Sequence, residues 1–510
     1  MGQALAQQAS RGLLGFYILG LLWAPLPLGS ARPWATAWLT LWFWLLAAAA
    51  AWLRVLPKAH PGAGPGSGRQ RAAGGPRSSP SSSQRQRPGA LAWGVAALLL
   101  AFSLWVGVQL SPWGYSADPH ETHIYLLRSL GYVGVFVAGL LLVNTQRRRT
   151  WLLAALVAAG VLEALLAIVL FSAGRSFELF GTLIAWSGRA TGTFPNFDHL
   201  AQFLALTLSA GVGLMLTQMG GPSRGPAPGW RERVHGVLSF MMSAKMLLRL
   251  MLVLMVIALV LTRSRMGNGV FFAVLLLLAL WVMVTAPQLR RPAGWLVASL
   301  LVVDIVVVGQ WVGLEKVVKR IENTELALER EEAASAAAAA SAAGLSAPPP
   351  LRIKRRPGQE ETVEERLYAA RDSLELVRQR PLAGHGGGAF YTVLPANKGS
   401  DFARYPYRWD HAHSDYVEIA ADTGLVGLGL LAGVFLLSFG RALQLMRDHS
   451  TPHVRGVCAG VAMGMLCALL HGLVDFNLQI NANAMTLTVL LVLVWSVHGP
   501  GGSSRSQTSR

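Results

Sequence analysis

Two histidines, His411 and His413, stand one residue apart inside the run RYPYRWDHAHSDYVEIAADTGLVGLGLL (404–431). Asp410, Ser414, Asp415 and Tyr416 flank them, where a long polar segment becomes an apolar helix pattern. An imidazole titrates near neutral pH, so beside carboxylates it suits general-base work. His413 is read as the proton acceptor, Asp415 as its orienting carboxylate and His411 as a further catalytic candidate. The competing reading is a plain helix cap, which Ser414 and Asp415 also suit. A His-X-His with a flanking Asp can ligate a metal, but no further ligand cluster accompanies it, and no metal or other cofactor is expected.

Arginines carry a second chemistry. The run LTRSRMGNG (261–269) confines Arg263 and Arg265 to a very short turn between two apolar segments. A guanidinium keeps its charge and binds phosphate with two parallel hydrogen bonds. Arg265, next to Gly267 and Gly269, is therefore the first choice for a diphosphate site, with Arg263 second. Arg175 and Arg189 lie in the connecting segment 172–198 and join them as candidates. Secondary candidates are His199, His385 in RPLAGHGGGAF (380–390), and His471 with Asp475, one helical turn apart in HGLVDFNLQINANA (471–484). The glycine run at 386–388 reads as a structural turn rather than an anion loop.

The elements that position these groups are membrane helices. The chain has 510 residues, 53% of them hydrophobic and only 14% charged, against roughly 25% charged in globular domains. Twelve apolar runs approach the ~20 residues needed to cross a bilayer: 12–31, 35–56, 91–111, 126–143, 151–171, 199–217, 246–262, 267–286, 294–313, 416–440, 456–474 and 483–498. The first run, with Pro25 and Pro27 inside it, reads as a helix and not as a cleavable signal. The expected fold is an all-α polytopic membrane protein of about 12 helices. Residues 1–313 carry helices 1–9, with a disordered linker at 57–90; 314–415 form a large, mostly helical outer loop; 416–498 carry helices 10–12; 499–510 are a tail.

The net charge of +18 reflects topology rather than nucleic-acid binding. Lys and Arg gather in cytoplasmic loops, and the basic residues cluster in 57–90, 144–150, 218–249, 287–293 and 441–455. That pattern puts both termini in the cytoplasm and every candidate cluster on the opposite face. Glu163 and Asp304 fall near mid-span, where a charge costs a few kcal/mol or more, so each is expected to face a partner inside the bundle. Cys458 and Cys467 share one predicted helix and read as buried apolar residues.

Five segments, in this order, carry a family resemblance: GRATGTFPNFDHLA, LTRSRMGNGVFF, RPLAGHGGGAF, HAHSDYVEIAADTGLVGLGLL and HGLVDFNLQINANA. Together they resemble the O-antigen ligase / O-antigen polymerase family of bacterial membrane glycosyltransferases. The resemblance covers about 187–484. It implies inverting, metal-independent transfer of a glycan from an undecaprenyl-diphosphate carrier to a hydroxyl on a glycan, lipid A-core or protein. It also implies a site facing the periplasm from the bacterial inner membrane. Arg265 matches the family's diphosphate-binding arginine and His413 its base histidine. Two positions depart: Phe197 stands where an arginine is common, leaving its role to Arg189 or Arg175, and Ser414 replaces an asparagine. The alternative reading is a lipid-linked oligosaccharide flippase or other 12-helix transporter, against which stand the absent internal repeat and the single large loop.

Overall fold

The computed structural model describes residues 3–55, 88–186, 188–219, 243–285, 290, 294–295, 297–302, 363–398, 409–449 and 451–497. Most of the linker 57–90, Asp304 with most of the expected span 294–313, the loop up to 362 and the tail 499–510 lie outside them.

The described chain is almost wholly helical. In order run α1 (Gln3–Trp23), α2 (Pro33–Val55), α3 (Ala90–Gln109), α4 (Pro119–Leu142) and α5 (Gln146–Ser172). A two-stranded hairpin follows, β1 (Phe177–Leu179) and β2 (Thr182–Ile184), antiparallel with Phe177 opposite Ile184. Then come α6 (Phe197–Gln218), α7 (Ala244–Leu261), α8 (Arg265–Thr285), α9 (Val363–Gln379), α10 (Asp415–Asp448), α11 (Pro452–His471) and α12 (Asn481–Trp495). Short polar side chains begin several of them: Asp118 accepts from Glu121 N at 3.1 Å and Asn196 from Asp198 N at 2.8 Å, each satisfying an orphan amide of a first turn.

Among the described residues nine helices are long and apolar enough to cross a membrane. Helix α1 is not among them, because Gln3, Gln7, Gln8, Ser10 and Arg11 dilute its first half. It ends at Trp23, and the Pro25–Pro27 stretch turns through Leu28–Ser30 instead of continuing the helix. Helix α12, with 15 residues, spans only about 22 Å and is buried along its length. The protein is a multi-pass, all-α membrane protein.

Helix α6 is the axis of the bundle: 94% of its apolar window is enclosed, more than in any other candidate span. It packs on α11 through facing small residues, where a Cβ on Gly213 would come within 2.9 Å of Gly456 O and Gly460 Cα. Without a water-driven hydrophobic effect inside lipid, such close backbone contact is what binds helices together. Cys458 and Cys467 are buried on α11 as free thiols.

Several helix ends and connections meet around the start of α6. Glu163, fully buried in α5, accepts from Thr193 N at 3.2 Å and from Thr193 Oγ1 at 2.8 Å, and the same hydroxyl lies 2.8 Å from Pro25 O. The expected partner of this intramembrane acid is thus the turn leading into α6. Gly192 in that turn has φ of +57°, and a Cβ there would fall 2.8 Å from Glu163 Oε2. Arg128 of α4 bonds Gln479 at 2.7 Å through both its backbone and its side-chain oxygen.

Candidate active site

The first two turns of α6, 197–202, have arginine-bearing turns on one side and an imidazole cluster on the other. On the arginine side, the Arg189 guanidinium lies 4.3 Å over the Phe197 ring, a cation–π contact. Ala190 N donates to Leu261 O at 3.0 Å, tying this segment to the turn that carries Arg263. Ser264 Oγ accepts from Gly267 N at 3.0 Å to open α8. A Cβ on Gly267 would lie 2.6 Å from that of Ala201, so α8 starts in direct contact with α6. Arg265, first residue of α8, is exposed and has no side-chain partner among the described residues. Arg175 is also exposed, before the hairpin, and no described contact draws it to this group.

On the other side, His199 meets the Phe476 ring edge-on at 4.7 Å. His471 Nδ1 lies 2.9 Å from Gln202 Oε1, and its Nε2 lies 3.8 Å from Asp475 Oδ2. His413 Nδ1 faces the other oxygen of Asp475 at 3.7 Å. His411 stacks on Phe476, centroids 3.8 Å apart and planes 15° apart. Its Nδ1 lies 2.7 Å from Glu418 Oε1. The structure therefore brings His199, His411, His413, His471 and Asp475 into one cluster.

The expected pairing of His413 with Asp415 is not formed. The Asp415 carboxylate accepts from Leu478 N at 2.9 and 3.2 Å, and its own N–H donates to Gly472 O and Asp475 O at 2.9 and 3.0 Å. It holds the 472–478 turn against the start of α10. The carboxylate facing His413 is Asp475, and His413 itself adopts a left-handed φ of +51°.

Asp475 is buried, which by itself opposes ionisation, but the close approach of His413 and the charge of the nearby His199 and His471 imidazoles hold its carboxyl well below the usual range. His385 sits elsewhere: its Nε2 bonds Leu376 O at 3.0 Å, its N–H bonds Ala421 O at 2.9 Å, and burial pushes its pKa down. It is a tie between α9 and α10. The neighbouring glycines are committed too. Gly386 N donates to Asp422 O, Gly387 N to Gln109 Oε1 and Gly388 N to Asp422 Oδ2, at 2.9, 3.0 and 2.9 Å. These amides make a structural turn, not an anion cradle.

For a metal, the donor atoms of Asp198, His471 and Asp475 lie within 4.8 Å of one another. A His with two carboxylates is a plausible divalent-ion set by ligand type, and it lies beside the His-X-His rather than in it. Glu418, Gln202 and Phe476 were missed from sequence. Glu418 follows His411 by seven residues, a spacing that registers only once the turn at 411–414 folds back on the first turn of α10.

Residues 250–432 match the family model described as O-Antigen ligase. This stretch of the chain belongs to the O-antigen ligase family. The O-antigen ligase region runs from α7 into α10 and takes in Arg263, Arg265, His385, His411, His413 and Glu418. The segments at 187–199 and 471–484 lie outside the match, although the structure packs them against it. Membership carries with it, in general terms, glycosyltransferase activity on lipid-linked glycans. No curated protein matches the chain.

Proposed function

We propose that this protein moves a glycan from an undecaprenyl-diphosphate carrier to a hydroxyl of a second glycan, a lipid A-core or a protein, with inversion, at the periplasmic face of a bacterial inner membrane. The observation that carries the reading is the junction at 197–202, where arginine-bearing turns and an imidazole–carboxylate cluster meet on one helix end inside and beside an O-antigen ligase region.

The chemistry follows from that arrangement. The acceptor oxygen attacks the anomeric carbon opposite the diphosphate, and the leaving diphosphate gains charge as the bond breaks. Fixed guanidinium groups stabilise that charge more in the transition state than before it, so Arg265, with Arg263 and Arg189, takes the diphosphate and no metal is required. An imidazole of the 411–413 turn takes the hydroxyl proton, a duty the family resemblance gives to His413. The polyprenyl tail stays in the bilayer alongside the helices. Whether the acceptor is another lipid-linked repeat, as for a polymerase, or a core or protein, as for a ligase, is decided by its chemistry and not by these groups.

Arg265→Lys tests the diphosphate role. Replacing a planar fork by a point charge should weaken binding of undecaprenyl diphosphate roughly 10-fold, a loss of about 1.4 kcal/mol, in a titration with purified protein. Unchanged affinity would remove Arg265 from that role.

A further inference from the structure

The turn at 409–415 carries two imidazole–carboxylate pairs, and the one nobody would pick from the family pattern is the better formed. His411 Nδ1 lies 2.7 Å from Glu418 Oε1, whereas His413 Nδ1 lies 3.7 Å from Asp475 Oδ1, beyond hydrogen-bond reach. The second oxygen of Glu418 accepts the Ala412 N–H at 2.9 Å. Its carboxylate is thereby fixed at both ends, and its side chain is only 3% exposed.

A carboxylate accepts, so His411 carries its proton on Nδ1 and presents a lone pair at Nε2. That is the tautomer a general base needs, set by a buried acid behind the ring. The stack on Phe476 fixes the ring plane. Access separates the two histidines as well: the His411 side chain is 31% exposed, the His413 side chain 11%, with Trp409 and Phe476 edge-on to the His413 ring at 5.1 and 5.3 Å.

We propose that His411, oriented by Glu418, is the group that takes the proton from the attacking hydroxyl. The inference rests on the transfer reading above and refines which imidazole acts. In the step, the acceptor oxygen bonds to the anomeric carbon while the carbon–oxygen bond to the diphosphate breaks, its electron pair leaving with the diphosphate. The hydroxyl proton passes to His411 Nε2. The resulting imidazolium is held by the Glu418 carboxylate until the proton is lost to water. His413, facing Asp475 and Phe476, shapes the wall of the site.

The test uses the full-length protein in nanodiscs with a synthetic polyprenyl-diphosphate glycan and a glycan acceptor, across a pH series. Glu418 on α10, His199 on α6, and His413 with Asp475 beside Phe476 are the titratable groups facing His411. His411→Asn keeps an N–H where Nδ1 stands but removes Nε2, so the bond to Glu418 survives. This variant should lose about 10²–10⁴-fold in kcat with KM for the donor unchanged. The acid-side fall of the pH–rate profile should vanish, and added imidazole should restore part of the rate. Glu418→Gln should lose less, through misorientation. If His411→Asn keeps its rate and its acid-side fall while His413→Asn loses both, the proposal is overturned and the proton belongs to His413. Absence of transfer by the unsubstituted protein from any lipid-diphosphate donor would instead overturn the functional reading, and this inference with it.

Discussion

Among the described residues, five that are not glycine adopt a left-handed backbone, and two of these are Arg263 and His413. Such a conformation costs on the order of 1–3 kcal/mol per residue and persists where the surroundings impose it, commonly at functional sites. The carboxylate facing His413 is Asp475 and not the neighbouring Asp415. Asp475 in turn is shared by three imidazoles, and its carboxyl is held below its ordinary range. A group with a depressed folded pKa lends stability above its unfolded value, about 3.9, and loses it as pH falls through the folded value. Thermal melts followed by tryptophan fluorescence should therefore show the protein weakening as pH drops below about 4, with Asp475→Asn already less stable at pH 7 and responding less to acid. Equal responses would remove Asp475 from that linkage. At this scale the sequence was readable where residue type alone marks chemistry: His411, His413, His471, Asp475 and the short arginine turn. The partners were not readable. Asp415 is adjacent to the histidine in sequence and turned away from it in space, while Glu418 reads as one more acid in a helix's first turn.

The element that joins the site to the rest of the fold is α10. Its helix breaks at Gly424, where φ is +69° and ψ is 178°. Leu425 N reaches Pro381 O at 2.7 Å across the break, and a Cβ at Gly424 would fall 2.0 Å from Leu382 O. Just before it, the buried Asp422 accepts from Gly388 N and Phe390 N, both at 2.9 Å. Gln109 at the end of α3 donates to Ala383 O at 2.7 Å and to Asp422 O at 2.9 Å. The loop after α9 is thereby fastened to α3 and α10 together. Asp422→Asn supplies a single side-chain acceptor for two amides, so one N–H is left unsatisfied at a cost of about 1–3 kcal/mol. Hydrogen exchange at the Gly388 and Phe390 amides should speed up in that variant; unchanged protection would show that the loop is held otherwise. Hydropathy located the long apolar helices because length and composition suffice to define a span. It did not show the turn that ends α1 at Trp23. It also passed over the hairpin in FELFGTLI, whose alternating strands are only three residues each, although Phe180-Gly181, both at positive φ, is a recognisable two-residue hairpin turn.

Across the whole molecule, the pieces singled out from sequence are separated by almost 300 residues yet assemble around the first turns of α6. They assemble there because α7 and α11 end, and α6, α8, α10 and α12 begin, at connected turns, Ala190 to Leu261, Asp415 to Gly472 and Asn483 to His199, while Thr193 before α6 reaches Glu163 inside α5. The charge distribution of the loops predicts that this end faces the periplasm. With the two buried native cysteines left in place, a cysteine substituted for Lys398 should react with an impermeant maleimide added to intact cells, and one substituted for Arg447 should react only after lysis. The reverse pattern would invert the topology and move the site to the cytoplasm. The most direct measurement is transfer itself. Purified protein is incubated with an undecaprenyl-diphosphate glycan, EDTA and, in separate reactions, no added acceptor, lipid A-core or an acceptor protein, and the products are resolved by gel. The account predicts glycan transfer in at least one of them, as a ladder of lengthened lipid-linked chains for a polymerase or a single shift of the core or protein for a ligase. An intact donor in all three, with the lipid instead crossing between leaflets of a reconstituted vesicle, would contradict it.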